Sequence, residues 1–215
     1  MARAVARQSA WALLGSTGAA AAQLCVTAIL ARWLVPDAFG LAALVAMLTS
    51  VATVLTQLGV GSSIVHAERL EEGDAAALYG LSLVVGLGLM AALLLLAPVL
   101  AFVWNQPTLA PLVAVQSLTL LFSAPTGIAF GLLQRRLRFS DVTKLQVLGA
   151  CLYGATALCL AAWGAGVWAL VLGRVLGDAL LLVPALRRAG MSLRPNFDRR
   201  RIRRLSLIHI SEPTR

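Results

Sequence analysis

Charged residues are missing from long stretches of this chain. Between Asp74 and Arg135, 60 consecutive positions hold no Asp, Glu, Lys or Arg, and similar gaps cover residues 8–31, 38–65 and 145–173. Only 13% of the 215 residues are charged, whereas a soluble domain has about 25%. A membrane core about 30 Å thick needs about 20 apolar residues per helix. These gaps therefore predict membrane-spanning helices, in agreement with a mean hydropathy of +0.86.

Sites for metals, cofactors and nucleic acids are also missing from the sequence. The three cysteines, at positions 25, 151 and 159, lie within apolar stretches and have neither zinc-ligand nor disulfide-framework spacing, so we expect them to pack like small apolar residues. The chain has no glycine-rich phosphate loop and no histidine or cysteine cluster. We therefore predict no metal, no cofactor and no enzymatic activity. The chain has a net charge of +9, and its basic residues lie beside the apolar runs. This position indicates a role in membrane orientation rather than a nucleic-acid partner.

Turn signals divide the charge-free stretches into six helices, which predicts an all-α membrane protein. Pro36 ends the first helix, a polar break at 105–108 separates the third from the fourth, and a glycine turn at 164–166 precedes the sixth. A signal peptide is the alternative for the first helix, but its apolar run is long and its cleavage site poor, which favours an uncleaved span. The predicted spans are residues 9–31, 39–65, 76–104, 109–133, 145–163 and 167–186.

The basic residues predict the direction of the chain through the membrane. On one side, two precede the first span, one lies in the second loop, four lie in the fourth loop, and eight follow the last span. The opposite side has only Arg32. Because basic residues concentrate on the cytoplasmic side, this split of fifteen to one predicts that both ends are cytoplasmic.

The last span contains two charged side chains, Arg174 and Asp178, at a spacing that places both on one face of the helix. Each charge costs at least about 2.5–3.5 kcal/mol at the centre of a membrane helix, so a partner or a water-filled cavity is needed. Gly173 and Gly177 form an adjacent small-residue seam on which another helix can pack closely. The pair either contacts a substrate or ion in a cavity, or pins two helices together.

Polar residues in the first two helices also leave two interpretations open. They are Gln23, Thr27, Thr49, Ser50, Thr53, Thr56 and Gln57. They can line a polar cavity or form hydrogen bonds between helices. Gly127 and Gly131, just after Pro125, form a second candidate seam in the fourth span.

Several segments, in order, resemble one family. Residues 31–41 (ARWLVPDAFGL) resemble the first loop of bacterial polysaccharide exporters, and residues 57–65 (QLGVGSSIV) resemble the end of their second helix. The basic loop at 134–139 (QRRLRF) follows a proline-containing fourth helix, and 164–171 (GAGVWALV) and 193–197 (LRPNF) also match. Together these segments look like the lipid-linked oligosaccharide flippases of the multidrug/oligosaccharidyl-lipid/polysaccharide (MOP) superfamily.

The resemblance implies a transporter with two six-helix lobes around a central cavity, located in the bacterial inner membrane. Residues 1–186 would form the N-terminal lobe, and residues 187–204 a basic cytoplasmic linker towards a missing C-terminal lobe. The partners would be membrane lipids and an undecaprenyl-pyrophosphate-linked glycan, flipped from the inner to the outer leaflet. An anionic pyrophosphate needs cations, so Arg174, with Asp178, and Arg32 nearer the outer surface are the candidate substrate contacts.

Three other functions are alternatives to this one. A multidrug antiporter would be favoured by a carboxylate in the first helix, but residues 1–36 contain none. A peptidoglycan-precursor (lipid II-type) flippase is a closer cousin. A membrane scaffold that recruits glycan enzymes without transporting anything would need Arg174 and Asp178 only as a structural pin.

The last eleven residues resemble something other than a protein segment. Residues 205–215 (LSLIHISEPTR) look like the in-frame translation of a transposase adaptor from short-read library preparation. We therefore expect the native sequence to stop being readable at Arg204 and residues 205–215 to have no part in the fold.

Overall fold

A computed structural model describes the backbone of residues 2–66 and 74–191, and side chains within 17–56 and 76–191. The described residues form seven α-helices and contain no β-strand. The helices are α1 (Ala2–Trp33), α2 (Pro36–His66), α3 (Asp74–Val103), α4 (Leu109–Gln116), α5 (Thr119–Arg135), α6 (Phe139–Ala162) and α7 (Val167–Ala189). Residues 67–73 before α3, most of the predicted basic linker and the predicted adaptor segment 205–215 lie outside the described residues.

Five helical segments in the described part of the chain are long and apolar enough to cross a membrane. They are Pro36–Thr56, Ala76–Val103, Leu109–Arg135, Phe139–Ala162 and Val167–Ala189. The predicted first span lies in α1, whose first residues fall outside the side-chain description. The prediction of an all-α, multi-pass membrane protein is confirmed.

Several helices are longer than their predicted spans, and α6 and α7 show the reason. α6 begins at Phe139 rather than at 145, and α7 ends at Ala189 rather than at 186. The charge-free stretch marks only the part of a helix that lies in lipid. The extra turns carry Asp141, Arg187 and Arg188, which place the helix ends in the interfacial region.

The fourth predicted span is broken into α4 and α5 at Ser117 and Leu118. The Leu120 and Leu121 amides bond to carbonyls three residues back rather than four, so the chain tightens locally there. The Ser117 and Thr119 hydroxyls also donate to backbone carbonyls, those of Ala114 at 2.7 Å and Gln116 at 2.8 Å. Hydroxyls that bond backward in this way compete with the regular helical pattern.

Buried apolar residues form three clusters rather than one central core. One joins α3, α5, α6 and α7 near the ends of α5 and α7, and includes Leu133 and Leu186. A second joins α2, α3, α4, α5 and α7 around Val45 and Leu112. A third joins α1, α2, α6 and α7 around Leu30. The clusters hold the helices together along their length and leave room for a cavity between them.

α6 and α7 pack through small residues, as the seam at Gly173 and Gly177 predicts. A Cβ added at Gly173 would lie 2.8 Å from the Cβ of Ala157, and one added at Gly177 would lie 3.0 Å from the Cα of Tyr153. The Thr156 hydroxyl donates to the carbonyl of Gly173 at 2.9 Å. The seam is confirmed, and it fixes the register of α7 against α6.

Two other predictions about packing have different outcomes. A Cβ at Gly127 would meet nothing within 4 Å, so no helix approaches closely at that glycine, while Gly131 is buried and its part in the second candidate seam stays a prediction. The cysteines are exposed on their helices rather than packed inside. An apolar neighbourhood in the sequence shows that a residue lies in lipid or in the core, but does not decide between the two.

The loop between α5 and α6 holds the C-terminal end of α7. The Arg136 guanidinium donates to the carbonyl of Ala189 at 2.8 Å, and that of Arg138 donates to the carbonyl of Arg188 at 3.3 Å. Gly190 then ends the helix in the left-handed conformation, with φ of 69°. Cations at this end favourably oppose the helix dipole, because the last carbonyls carry partial negative charge.

We expect Arg136→Ala to destabilise the protein by about 1 kcal/mol, because a charge-assisted hydrogen bond to the last turn of α7 is lost. Thermal unfolding of the purified protein in nanodiscs measures the change. Arg187→Ala is the matched control, since Arg187 lies exposed in the same turn. Equal melting temperatures for both variants would show that the Arg136 contact does not stabilise α7.

Candidate functional site

A cavity of about 540 Å³ lies between the helices and is open on one side. Its walls come from α1, α2, α4, α5, α6 and α7. Its polar lining residues are Gln23, Thr27, Thr49, Ser50, Thr53, Gln116, Thr119, Ser123, Tyr153, Arg174 and Asp178. Such a polar surface is unusual in a chain that is 60% hydrophobic, and polar groups at membrane depth are retained where they serve a pathway or a binding site.

The cavity extends along most of the length of the spans, from Phe39, three residues into α2, towards their far end. Arg174 is seven residues from the start of α7, and Gln116 is seven residues from the start of α4. At about 1.5 Å per residue both lie about 10 Å from that end of their spans. Thr53, seventeen residues into α2, lies deeper still, at about 25 Å.

Arg174 and Asp178 form an ion pair in the cavity wall. The Arg174 Nε donates to the Asp178 Oδ2 at 3.1 Å, one turn apart on α7. The Arg174 side chain is 56% exposed and that of Asp178 only 19%. The contact uses Nε, so the two terminal nitrogens of the guanidinium can reach a bound anion. The predicted shared face is confirmed, and the pair lies on a cavity wall, where its contact with a substrate stays a prediction.

The seam with α6 positions this pair. Gly173 and Gly177 sit directly against Ala157 and Tyr153, so α7 cannot rotate without a clash. Tyr153 itself lines the cavity beside Arg174, and its hydroxyl interacts with the Gln23 side chain of α1. The close packing at Gly173 and Gly177 therefore determines the direction in which the side chains of Arg174 and Asp178 point.

Most of the polar residues of the first two helices line the cavity, and Gln23 also joins α1 to α6 through Tyr153. Five of the seven predicted positions are in the lining, while Thr56 is buried elsewhere and the Gln57 side chain lies outside the described residues. The Thr27, Thr49 and Thr53 hydroxyls donate to carbonyls of their own helices, at 2.8–2.9 Å. A hydroxyl bonded in this way still has lone pairs to offer towards the cavity.

Gln116 and Ser123 belong to the site although no sequence pattern predicted them. The Gln116 Oε1 and the Ser123 Oγ are buried and have no hydrogen-bond partner within the described structure. They lie on either side of the break between α4 and α5. The sequence did contain a signal for them, because the otherwise apolar fourth span includes a glutamine and several hydroxyl-bearing residues.

Arg32 is not part of this cavity. It lies exposed near the end of α1, outside the lining residues. Its predicted contact with a substrate nearer the outer surface stays a prediction.

Comparison with known proteins agrees with the resemblance. A family model described as polysaccharide biosynthesis protein matches residues 29–211. The succinoglycan biosynthesis transport protein ExoT of Rhizobium meliloti (strain 1021) is 27% identical over 170 residues, which are 79% of this chain and 34% of that protein. The lipopolysaccharide biosynthesis protein WzxC of Escherichia coli (strain K12) is 29% identical over 150 residues, 69% of this chain and 30% of that protein.

The chain thus spans about a third of the length of the curated relatives it matches. No solved structure matches it.

Proposed function

Because the chain belongs to the polysaccharide biosynthesis protein family, we propose that it forms one lobe of a transporter that flips a lipid-linked oligosaccharide across the inner membrane. The observation that carries this proposal is the polar cavity at membrane depth with the Arg174–Asp178 pair in its wall. A scaffold needs no such cavity. The names of the two relatives, a transport protein and a lipopolysaccharide biosynthesis protein, support the same class of cargo.

The proposed cargo is a glycan linked to undecaprenyl pyrophosphate. Its pyrophosphate is anionic and needs cationic donors on the way through the membrane, while the prenyl chain can stay in lipid. Arg174 is the cation that the cavity offers for this purpose. Arginine suits phosphate groups because its planar guanidinium presents several N–H donors at once.

The transporter would work by alternating access between two lobes. The helices described here would form the N-terminal lobe, with both ends of the lobe in the cytoplasm, and a second lobe would supply the opposite wall of the cavity. Coverage of about a third of each relative supports this arrangement. The lack of Asp and Glu from Met1 to Pro36 argues against the multidrug antiporter alternative.

Reconstituted transport tests the proposal. The product of the complete gene, in liposomes, should move a polyprenyl-pyrophosphate-linked oligosaccharide between leaflets, measured as loss of accessibility to an external glycosidase. It should not move a cationic drug such as ethidium. Residues 1–204 alone should insert but transport nothing, because one cavity wall is absent. Transport by the 1–204 fragment, or of ethidium alone, would overturn the proposal.

A further inference from the structure

The break between α4 and α5 places polar side chains of one span on the cavity wall. Gln116 ends α4, Thr119 begins α5, and Ser123 lies one turn further on; all three line the cavity. An unbroken apolar helix would present mostly hydrocarbon there. Irregular backbone at membrane depth is tolerated where it lines a cavity, and such breaks are common at transporter binding sites.

Two atoms near this break have no hydrogen-bond partner among the described residues. Gln116 is 7% exposed, and its Oε1 has no hydrogen-bond partner in the described structure. The Ser123 Oγ is also buried and has no hydrogen-bond partner there. The Thr119 hydroxyl already donates to the Gln116 carbonyl at 2.8 Å, which leaves its lone pairs free to accept. An unsatisfied buried polar atom is costly, so its retention on a cavity wall points to a ligand that satisfies it.

The chemistry of these atoms selects the ligand. Gln116 Oε1 is an acceptor and needs an O–H or N–H donor, while the Ser123 hydroxyl can both donate and accept. A metal cation prefers several oxygen ligands at once, and the described residues contain no group of three His, Cys, Asp or Glu side chains suited to one. A sugar supplies several hydroxyls, each able to donate and accept.

We propose that Gln116 and Ser123 form a hydroxyl-binding subsite that holds the sugar of the transported lipid, apart from the pyrophosphate contact at Arg174. This assignment rests on the proposed function and adds to it. Arg174 would recognise the anionic group common to all polyprenyl-pyrophosphate carriers. Gln116 and Ser123 would distinguish a carrier loaded with sugar from an empty one.

Binding of two probes to the complete protein in nanodiscs tests this. The probes are a polyprenyl pyrophosphate and the same lipid bearing one hexose. Wild type should bind the hexose-bearing lipid about three- to tenfold more tightly, as one or two hydrogen bonds provide. Gln116→Leu and Ser123→Ala should each reduce this ratio, because they weaken binding of the hexose-bearing lipid more than binding of the bare lipid. Ser123→Ala removes one oxygen without adding bulk, so it keeps the test valid if Gln116→Leu misfolds.

Gln146→Leu is the matched control, because Gln146 is an exposed glutamine on α6 outside the cavity. The subsite proposal would be overturned if both site variants kept the wild-type ratio of the two affinities, or if wild type did not prefer the hexose-bearing lipid. Either result would leave the proposed function intact. Failure of wild type to bind either lipid would overturn both.

Discussion

Gly173→Ala should destabilise the protein by about 1–3 kcal/mol, the range for overpacking a tight interior. The added Cβ would lie 2.8 Å from the Cβ and 2.9 Å from the Cα of Ala157 on α6. Neither atom is the end of a flexible side chain, so the two helices must separate. The expected result is a melting temperature several degrees lower for the purified protein in nanodiscs. Transport should fall as well, because separation moves Arg174 in the cavity wall.

Gly88→Ala provides the comparison. Gly88 is also a helical glycine in a membrane span, but a Cβ there would meet nothing within 4 Å. Alanine is favoured over glycine in a helix by about 0.5–1 kcal/mol, so this variant should be as stable as wild type or slightly more stable. Equal loss of stability in both variants would show that the close approach of α6 and α7 at Gly173 does not determine the effect.

The second large effect is expected at the ion pair. Arg174→Leu should reduce transport by the complete protein at least about tenfold, since a hydrogen bond to a charged group contributes about 1.5–3 kcal/mol. It should also lower the amount of folded protein, because Asp178, with 19% of its side chain exposed, would keep an uncompensated charge. Breaking a buried pair costs about 3–5 kcal/mol, and the 56% exposure of Arg174 places this pair below that range.

The double variant separates the two roles of the pair. Replacing both Arg174 and Asp178 by Leu removes the uncompensated charge, so the amount of folded protein should recover while transport stays low. Protein level by immunoblot and glycan movement in liposomes are measured on the same preparations. Wild-type transport by the double variant at equal protein level would reduce the pair to a structural pin.

Gaps in charge and the spacing of small residues were sufficient to predict much of this structure. The all-α membrane fold, the shared face of Arg174 and Asp178, and the seam at Gly173 follow from periodicity and from the cost of charge in lipid. The helix ends at Phe139 and Ala189 did not, because a charge-free stretch records only the thickness of the membrane core.

The break at Ser117 was beyond sequence reasoning for a physical reason. Pro125, the obvious helix breaker, lies inside α5, while the break itself occurs where hydroxyls bond to nearby carbonyls. Serine and threonine do this in many helices that stay regular. Which of them interrupts a helix depends on how the neighbouring helices pack. The position of Gln116 on the cavity wall depends on the same packing.

The contacts of Arg136 and Arg138 with the end of α7 affect how topology can be studied in this protein. The same arginines supply part of the positive charge that predicts a cytoplasmic side, and they also bind the last carbonyls of a transmembrane helix. Insertion and folding therefore share one set of side chains. A charge-reversal experiment on this loop alters both processes at once, whereas arginine replaced by lysine keeps the orientation signal and changes only the geometry of the bonds.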